Sequence, residues 1–280
     1  MHSIVTKQSL GPELDQYEVE APRVAKAAAP GQFVVLRLHE RGERIPLTLA
    51  DWDPARGTVS LVVQAVGKTT SEMHEAYNAG DAVRDVVGPL GKPSEIVHEG
   101  TVVCVAGGVG IAPVFPIARA LKEAGARVIG IVGARSSDLL FWLDRMGNAC
   151  HELVVTTDDG SMGRKGLVTQ PLAEILAARQ VSHVWAVGPA VMMKFCAATS
   201  SKAGVPITVS LNPIMVDGTG MCGACRVEVG DNVRFACVDG PEFPGGQVNW
   251  DLLLARLAAY QEQERCALDR YRQMMEETAR

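Results

Sequence analysis

The sequence lacks the features that would place it on nucleic acid, in a membrane or outside the cell. Lys and Arg number 27 against 32 Asp and Glu, a formal net charge of −5, so no nucleic-acid partner is expected. No apolar run is long enough to span a bilayer. Met1–Lys7 holds no basic region followed by an apolar stretch, so no secretory signal is expected. Seven cysteines are an odd number in a chain without such a signal, which argues against a disulfide framework and for a cytoplasmic location. The six histidines show no metal-ligand spacing with one another, and a Rossmann G-x-G-x-x-G is missing as well. What is present is a folded composition, 47% hydrophobic and 21% charged, in 280 residues, enough for two domains and a small third.

Three of the cysteines crowd into one window near the end, Asp217-Gly-Thr-Gly-Met-Cys222-Gly-Ala-Cys225, followed by Cys237. The spacing is C-x2-C-x11-C, with Asp217 five positions before the first cysteine. Plant-type 2Fe–2S sites use C-x4-C-x2-C and a distant cysteine, a pattern this stretch fits if Asp217 stands first. The ligand set expected on this reading is Asp217, Cys222, Cys225 and Cys237. Zinc is the competing reading, since three thiolates and a carboxylate suit it too. Cys104, Cys150, Cys196 and Cys266 are read as non-ligands, and His74 and His151 as histidines without a visible partner.

The first hundred residues read as β. Short apolar or alternating runs at 16–20, 32–38, 45–50, 58–65 and 82–87 are separated by turn signals such as Pro30-Gly31 and Arg56-Gly57. They predict a small antiparallel β-barrel with one helix near 70–78. On it, Arg44-Ile-Pro46-Leu47-Thr48 offers a guanidinium suited to a diphosphate. Gly67-Lys-Thr69-Thr70 offers a glycine and two hydroxyls at a helix start.

From Thr101 the pattern alternates strand and helix, with strands near 101–106, 127–132, 153–157, 183–187 and 206–211. Helices are expected up to 123 and over 137–146, 168–178 and 190–202. This predicts a doubly wound parallel sheet with ligands at the carboxyl ends of its strands. Residues 211–247 read as a glycine-rich segment outside that sheet, with a hairpin whose second strand, 233–238, carries Cys237. The expected divisions are 1–96, 97–211, 212–247 and a helical tail, 248–280, kinked or frayed beyond about 275. The tail packs on its own chain or docks a larger subunit.

The Arg44–Thr48 and Gly67–Thr70 stretches together resemble the flavin domain of the ferredoxin–NADP reductase superfamily, which has an R-x-[YFP]-[ST]-like strand and a G-x-[GT]-[ST] turn. The resemblance implies FAD held by Arg44, Pro46, Leu47 and Thr48, lined by Val62, Val63 and Gln64, with its diphosphate on Gly67, Thr69 and Thr70. Gly107-Gly108-Val-Gly110-Ile-Ala112-Pro113 is similar to the superfamily's nucleotide loop, G-G-x-G-x-A-P. Gly188-Pro189-Ala-Val-Met-Met resembles its turn under the nicotinamide. Asp158 and Asp159 end the third strand, and a carboxylate suits a ribose 2′-hydroxyl but repels a 2′-phosphate. NAD(H) is therefore expected rather than NADP(H), with Arg135 and Arg164 as the contrary signal.

Barrel, nucleotide domain and cysteine segment follow one another as in the small subunits of NADH-dependent reduced ferredoxin:NADP oxidoreductases, also named sulfide dehydrogenase small subunits. The electron-transfer subunits of dihydroorotate dehydrogenase are cousins that bind their cluster with four cysteines. The aspartate in V-D-G-T-G-M-C-G-A-C and the stretch Phe235–Phe243 resemble the former branch. The resemblance implies an oxidoreductase subunit exchanging electrons between NAD(H), FAD and a 2Fe–2S cluster. It also implies a larger, glutamate-synthase-like iron–sulfur flavoprotein partner, ferredoxin served indirectly, and electron bifurcation. Alternatives are the electron-transfer subunit of a dihydroorotate or sulfide dehydrogenase, and a zinc-bearing flavin module without a redox task.

Overall fold

The computed structural model describes residues 1–278. The first unit runs β1 (His2–Gly11), β2 (Leu14–Glu20), α1 (Pro22–Ala27), β3 (Phe33–Arg37), β4 (Arg44–Thr48), β5 (Asp51–Asp53), β6 (Thr58–Gln64), α2 (Lys68–Ala76), β7 (Ala82–Val83) and β8 (Asp85–Leu90). Its two antiparallel sheets, β5-β6-β2-β1-β7 and β4-β3-β8, curl round a core of Tyr17, Val19, Leu36, Leu49, Leu61 and Met73. This is the expected barrel. Strand β1 was not expected: only Ile4 of its ten residues is buried, so it shows no hydrophobic alternation. Pro46 is tolerated because β4 lies at a sheet edge, where a missing N–H breaks no ladder. His74, read as unpartnered, lies 2.7 Å from the buried Asp15 carboxylate, which also takes the Tyr17 hydroxyl and Lys7.

The second unit runs β9 (Thr101–Gly107), α3 (Ile111–Glu123), β10 (Arg127–Ala134), α4 (Leu143–Ala149), β11 (Glu152–Thr157), β12 (Arg164–Lys165), α5 (Thr169–Ala178), β13 (His183–Val187), α6 (Ala190–Lys202) and β14 (Ile207–Ser210). Strands β9, β10, β11, β13 and β14 pair in parallel, as predicted from their apolar runs, and the two-residue β12, which was not predicted, adds a parallel edge beside β11. The helix expected over 137–146 is broken instead into a turn at Ser137–Leu139 and α4. Between them Trp142 takes a left-handed backbone, φ +53°, and its ring packs edge-on against Phe115 and Phe141. Tertiary packing of these rings overrides the local helical pattern. His151 also has a partner, since its Nδ1 accepts the Val128 N–H.

The last part holds β15 (Arg226–Val229), β16 (Asn232–Phe235), α7 (Ala236–Asp239), β17 (Glu242–Pro244), α8 (Trp250–Ala258) and α9 (Gln261–Thr278). Two expectations are corrected here. Residues 211–247 do not stay outside the sheet: β17 pairs antiparallel with β14, giving the order β12-β11-β10-β9-β13-β14-β17. Cys237 is not on a strand, because β16 ends at Phe235 and the chain turns into α7, whose Asp239 accepts the Phe235 N–H. The tail does kink, between α8 and α9. Helix α9 continues through the region expected to fray as far as Thr278, and residues 279–280 lie outside the described residues. It runs back to α2, where the buried Tyr271 hydroxyl donates to Glu75 at 2.9 Å. Among the described residues no helix is long and apolar enough to cross a membrane.

The units share their cores. Leu14, Ala50 and Val62 of the barrel pack with Ile111, Phe115 and Phe141. Phe33 and Val35 pack with the parallel sheet, Cys225 and Cys237. The expected 96/97 division falls in the linker 91–100 between β8 and β9. All three parts meet at Glu242. Its carboxylate takes the linker's Ser94 hydroxyl at 2.7 Å and lies against the Trp185 indole of β13.

Burial pushes the Glu242 carboxyl above its ordinary value of 4.5, while Ser94 and Trp185 pull it partly back. A carboxyl that holds its proton more tightly folded than unfolded stabilises the fold at low pH. That contribution is lost as pH rises through the folded value. Glu242→Gln keeps an acceptor for Ser94 and cannot ionise. It should flatten the decline in stability above pH 4.5 and melt higher than wild type at neutral pH, as measured by thermal unfolding across that range.

Candidate functional site

The strand order places β9 between β10 and β13, so successive crossovers leave β9 on opposite sides. A crevice opens at such a reversal, at the carboxyl ends of the strands. Two glycine turns flank it: Gly107–Gly110 after β9 and Gly188-Pro189 after β13. Their main chains touch. A Cβ on Gly110 would lie 2.2 Å from the Val187 carbonyl oxygen, and one on Gly188 would lie 3.1 Å from the Gly107 Cα. Met192 fills the floor, its sulfur 2.3 Å from where a Gly107 Cβ would sit. The residue spacing alone does not show this, and only the fold brings the Met192 sulfur against the loop. Gly108, at φ +54°, faces open space. Ala112 is buried and Pro113 half-buried in the first turn of α3. The N-termini of α3 and α6 both begin at these turns, so their dipoles favour a diphosphate there.

Strand β6 of the barrel packs against the Gly108–Gly110 turn, bringing the two expected ligand regions together. Val62 belongs to the core shared with α3. Val63, one residue on, points the opposite way into the barrel core, so its side chain lines no cleft and only its main chain is left to face a ligand. Gln64 is half-buried at the strand end. On β4, Arg44 and Pro46 are exposed, with Leu47 and Thr48 half-buried. No ion pair engages Arg44 among the described residues, which leaves its guanidinium available. The hydroxyls expected to cradle a diphosphate are partly used: Thr69 donates to Glu43, and Thr70 accepts the N–H groups of Val66 and Gly67. The free N–H groups at the start of α2 remain for an anion.

At the end of β11 the two carboxylates differ. Asp159 accepts the N–H and hydroxyl of Ser161, which hold its carboxyl below the ordinary value. Asp158 is exposed and its side chain makes no such bond. Arg164 is engaged by both oxygens of Glu174, which removes one of the two cations that argued for a 2′-phosphate. Arg135 is exposed, with no ion pair among the described residues.

In the cysteine loop the structure brings Cys225 and Cys237 together, both buried, their sulfurs 3.2 Å apart. Cys222 sits on the exposed part of the loop. No preformed metal cage occurs among the described residues, although Asp217 reaches Cys222. Its carboxylate organises the loop, accepting the Thr219 N–H at 2.9 Å and the Cys222 N–H at 2.8 Å. Each oxygen keeps a further lone pair. Asp217 is close enough to Cys237 for its charge to act on that thiol. Burial, then the Cys225 thiol, then Asp217 push Cys237 up to about 12. Gly218 has φ +77°, and a Cβ there would strike Leu90 and Val35, so the loop lies directly on the barrel. Three thiols, a nearby carboxylate and a close-wrapped glycine loop suit an iron–sulfur cluster.

Two family models match the chain. Residues 104–198 match the oxidoreductase NAD-binding domain, and residues 212–249 match the iron–sulfur cluster binding domain of dihydroorotate dehydrogenase B. A dihydroorotate dehydrogenase B (NAD(+)) electron transfer subunit homolog from Thermotoga maritima is 53% identical over 97% of this chain and 95% of its own. The electron transfer subunit of that enzyme from Desulforamulus reducens is 32% identical over 86% and 95%. The chain belongs to this electron-transfer subunit family. A solved structure of an NADH-dependent reduced ferredoxin–NADP oxidoreductase, studied for flavin-based electron bifurcation, superposes with a TM-score of 0.91. It is 52% identical and covers 97% of this chain and 98% of its own. The expected resemblance is thus borne out, and the fold is that of a flavin reductase with an added cluster domain. The chain is an oxidoreductase subunit with an NAD-binding domain and an iron–sulfur cluster binding domain.

Gly110→Ala places a methyl against the Val187 carbonyl, and should destabilise the fold by about 1–3 kcal/mol and weaken NADH binding. Thermal unfolding and calorimetric titration check the two effects.

Proposed function

We propose that this chain exchanges electrons with NAD(H) at FAD and passes them singly through its 2Fe–2S cluster to a larger iron–sulfur flavoprotein subunit. The partner is glutamate-synthase-like, and the complex couples NADH and reduced ferredoxin to NADP reduction by electron bifurcation. The observation that carries this reading is one juxtaposition. Strand β6 lies on the Gly108–Gly110 turn at the sheet's switch point, and the cysteine loop lies on Val35 and Leu90 of the same barrel. FAD supplies conversion between two-electron and one-electron transfer, and the cluster supplies a one-electron exit.

The chain's own residues bind and orient. Gly107, Gly108, Gly110, Ala112 and Pro113, with Gly188 and Pro189, seat the dinucleotide by main chain and helix dipole. Asp158, its carboxylate free, takes the adenosine ribose and favours NAD(H). Arg44 pairs with the flavin's diphosphate beside Gly67, Thr69 and Thr70, while Pro46, Leu47, Thr48, Val62, Gln64 and the Val63 main chain flank its ring. Cys222, Cys225, Cys237 and Asp217 would hold the cluster, the Asp217 oxygens keeping lone pairs beyond those taken by its loop N–H groups. A carboxylate is a harder donor than thiolate, so it shifts the cluster's potential. No side chain here is asked to act as acid or base.

The relatives' names as subunits support a partner. So do the exposed Val216, Met221 and Val238 on and beside the cysteine loop, since apolar groups rimming a redox loop suit a protein contact. The same names also favour a second reading, transfer to a dihydroorotate-oxidising subunit. Copurification of the native complex separates the two: a dihydroorotate-oxidising partner would overturn the bifurcating one.

Purified anaerobically, the chain should contain FAD and about two irons with two inorganic sulfides, and NADH should reduce the flavin. Zinc in place of iron would sink the proposal. Asp217→Cys should retain the iron and change the cluster's potential, whereas Asp217→Ala should lose iron. An unchanged cluster spectrum in the alanine variant removes Asp217 from the ligand set.

A further inference from the structure

Asp51 opens β5, three residues after Thr48. Its carboxylate takes Arg119 of α3 at 2.9 Å on one oxygen and Arg145 of α4 on the other. The carboxylate belongs to the barrel and both guanidiniums to the nucleotide domain. Arg145 lies 3.9 Å from the Trp142 ring centroid and 4.3 Å from that of Phe115. Arg119 lies 5.0 Å from Phe115 and 5.8 Å from Trp52. The Trp142 indole N–H returns to the barrel, donating to Gln16 at 3.2 Å. This differs from an ordinary surface pair, which contributes little. The Asp51 side chain is 20% exposed and the arginines about a third, and one carboxylate is shared by two guanidiniums stacked on rings.

The ends of this cluster lead to both halves of the site. Thr48 flanks the flavin side. Arg119 is eight residues along α3 from Ile111, where the helix leaves the nucleotide turn, or about 12 Å along a rigid rod. The apolar contact beneath, Leu14, Ala50 and Val62 against Ile111 and Phe115, is non-directional. Guanidinium–carboxylate bonds fix direction as well as distance. We propose that Asp51, clasped by Arg119 and Arg145, is a positioning residue that sets the separation and angle between the flavin strand and the nucleotide helix. The inference rests on the function proposed above, in which both cofactors meet across this boundary. Small displacements of reacting groups are costly there, at up to about a hundredfold in rate per ångström.

The test compares Asp51→Asn and Asp51→Glu with wild type in the full chain. Asparagine leaves two guanidiniums facing a neutral amide. In rapid mixing with saturating NADH, the first-order rate of flavin reduction should fall about tenfold or more in Asp51→Asn. The half-saturating NADH concentration should change little, the long-wavelength nicotinamide–flavin charge-transfer absorbance should weaken, and Asp51→Glu should restore part of both. Amide hydrogen exchange on the cofactor-free chain should quicken at 49–53 and in the linker 91–100 of Asp51→Asn, with β1 and β2 unchanged. A wild-type rate and charge-transfer band in Asp51→Asn overturn the inference. So does faster exchange throughout the barrel, which marks a plain stability role. If the wild-type chain takes up no FAD, the proposed function fails. The exchange pattern alone then decides the clasp: confined to the boundary it stands, unchanged or general it falls.

Discussion

The barrel and the parallel sheet have no separate cores where they meet. Val62 of β6 and Leu14 of β2 pack with Ile111 and Phe115 of α3, and this apolar contact puts a barrel strand against the glycine turn that begins the helix. Everything functional depends on that contact. It brings the two edges proposed to bind FAD and the dinucleotide together, and it does so by burying apolar surface, the largest favourable term in folding. A second shared core seats the cysteine loop, with Val35 of the barrel packed in the same cluster as Cys225 and Cys237. Three modules that follow one another in sequence therefore behave as one body.

Main-chain contact at the switch point explains the glycines. Gly110 and Val187, and Gly107 and Gly188, approach too closely for any side chain between them. The helices that start from these turns bring their N-terminal N–H groups to the same place. Neither helix needs a charged residue in its first turn to attract a diphosphate, and neither has an acidic one. Asp217 performs a related task on the cysteine loop. It draws the Thr219 and Cys222 N–H groups onto one carboxylate and so brings the loop round toward the Cys225–Cys237 pair.

Much of this was legible in the residues. The runs Val102–Ala106 and Val128–Val132 are apolar because their strands are covered on both faces, and such runs read as buried parallel strands without further help. Strand β13 and helix α6 fall where the pattern put them, His183–Val187 and Ala190–Lys202. What escaped had weak or misleading local signals. Strand β1 is mostly exposed, so it carries no alternation. The break before α4 comes from Trp142 packing on Phe115, a residue 27 positions earlier. Strand β17 is three residues long and takes its identity from the edge of β14. Cys237 looked like a strand residue because Val233 and Phe235 precede it, yet Asp239 caps a helical turn at that point.

By itself the sequence determined which chemistry the chain can host. The glycine turns, the Arg44–Thr48 strand and the C-x2-C-x11-C spacing are local patterns, and residue types at set spacings are all they require. Only the tertiary structure decided which members are free to act. Asp158 is available while Asp159 is tied to Ser161, Arg164 is taken by Glu174 while Arg44 is open among the described residues, and Val63 faces the barrel core while Val62 faces the core shared with α3. It also decided that Asp51 reaches Arg119 and Arg145, residues about seventy and ninety positions away. The physical reason is the same throughout. Covalent spacing dictates what a segment offers, whereas a hydrogen bond, an ion pair or a buried face depends on what the rest of the chain brings beside it.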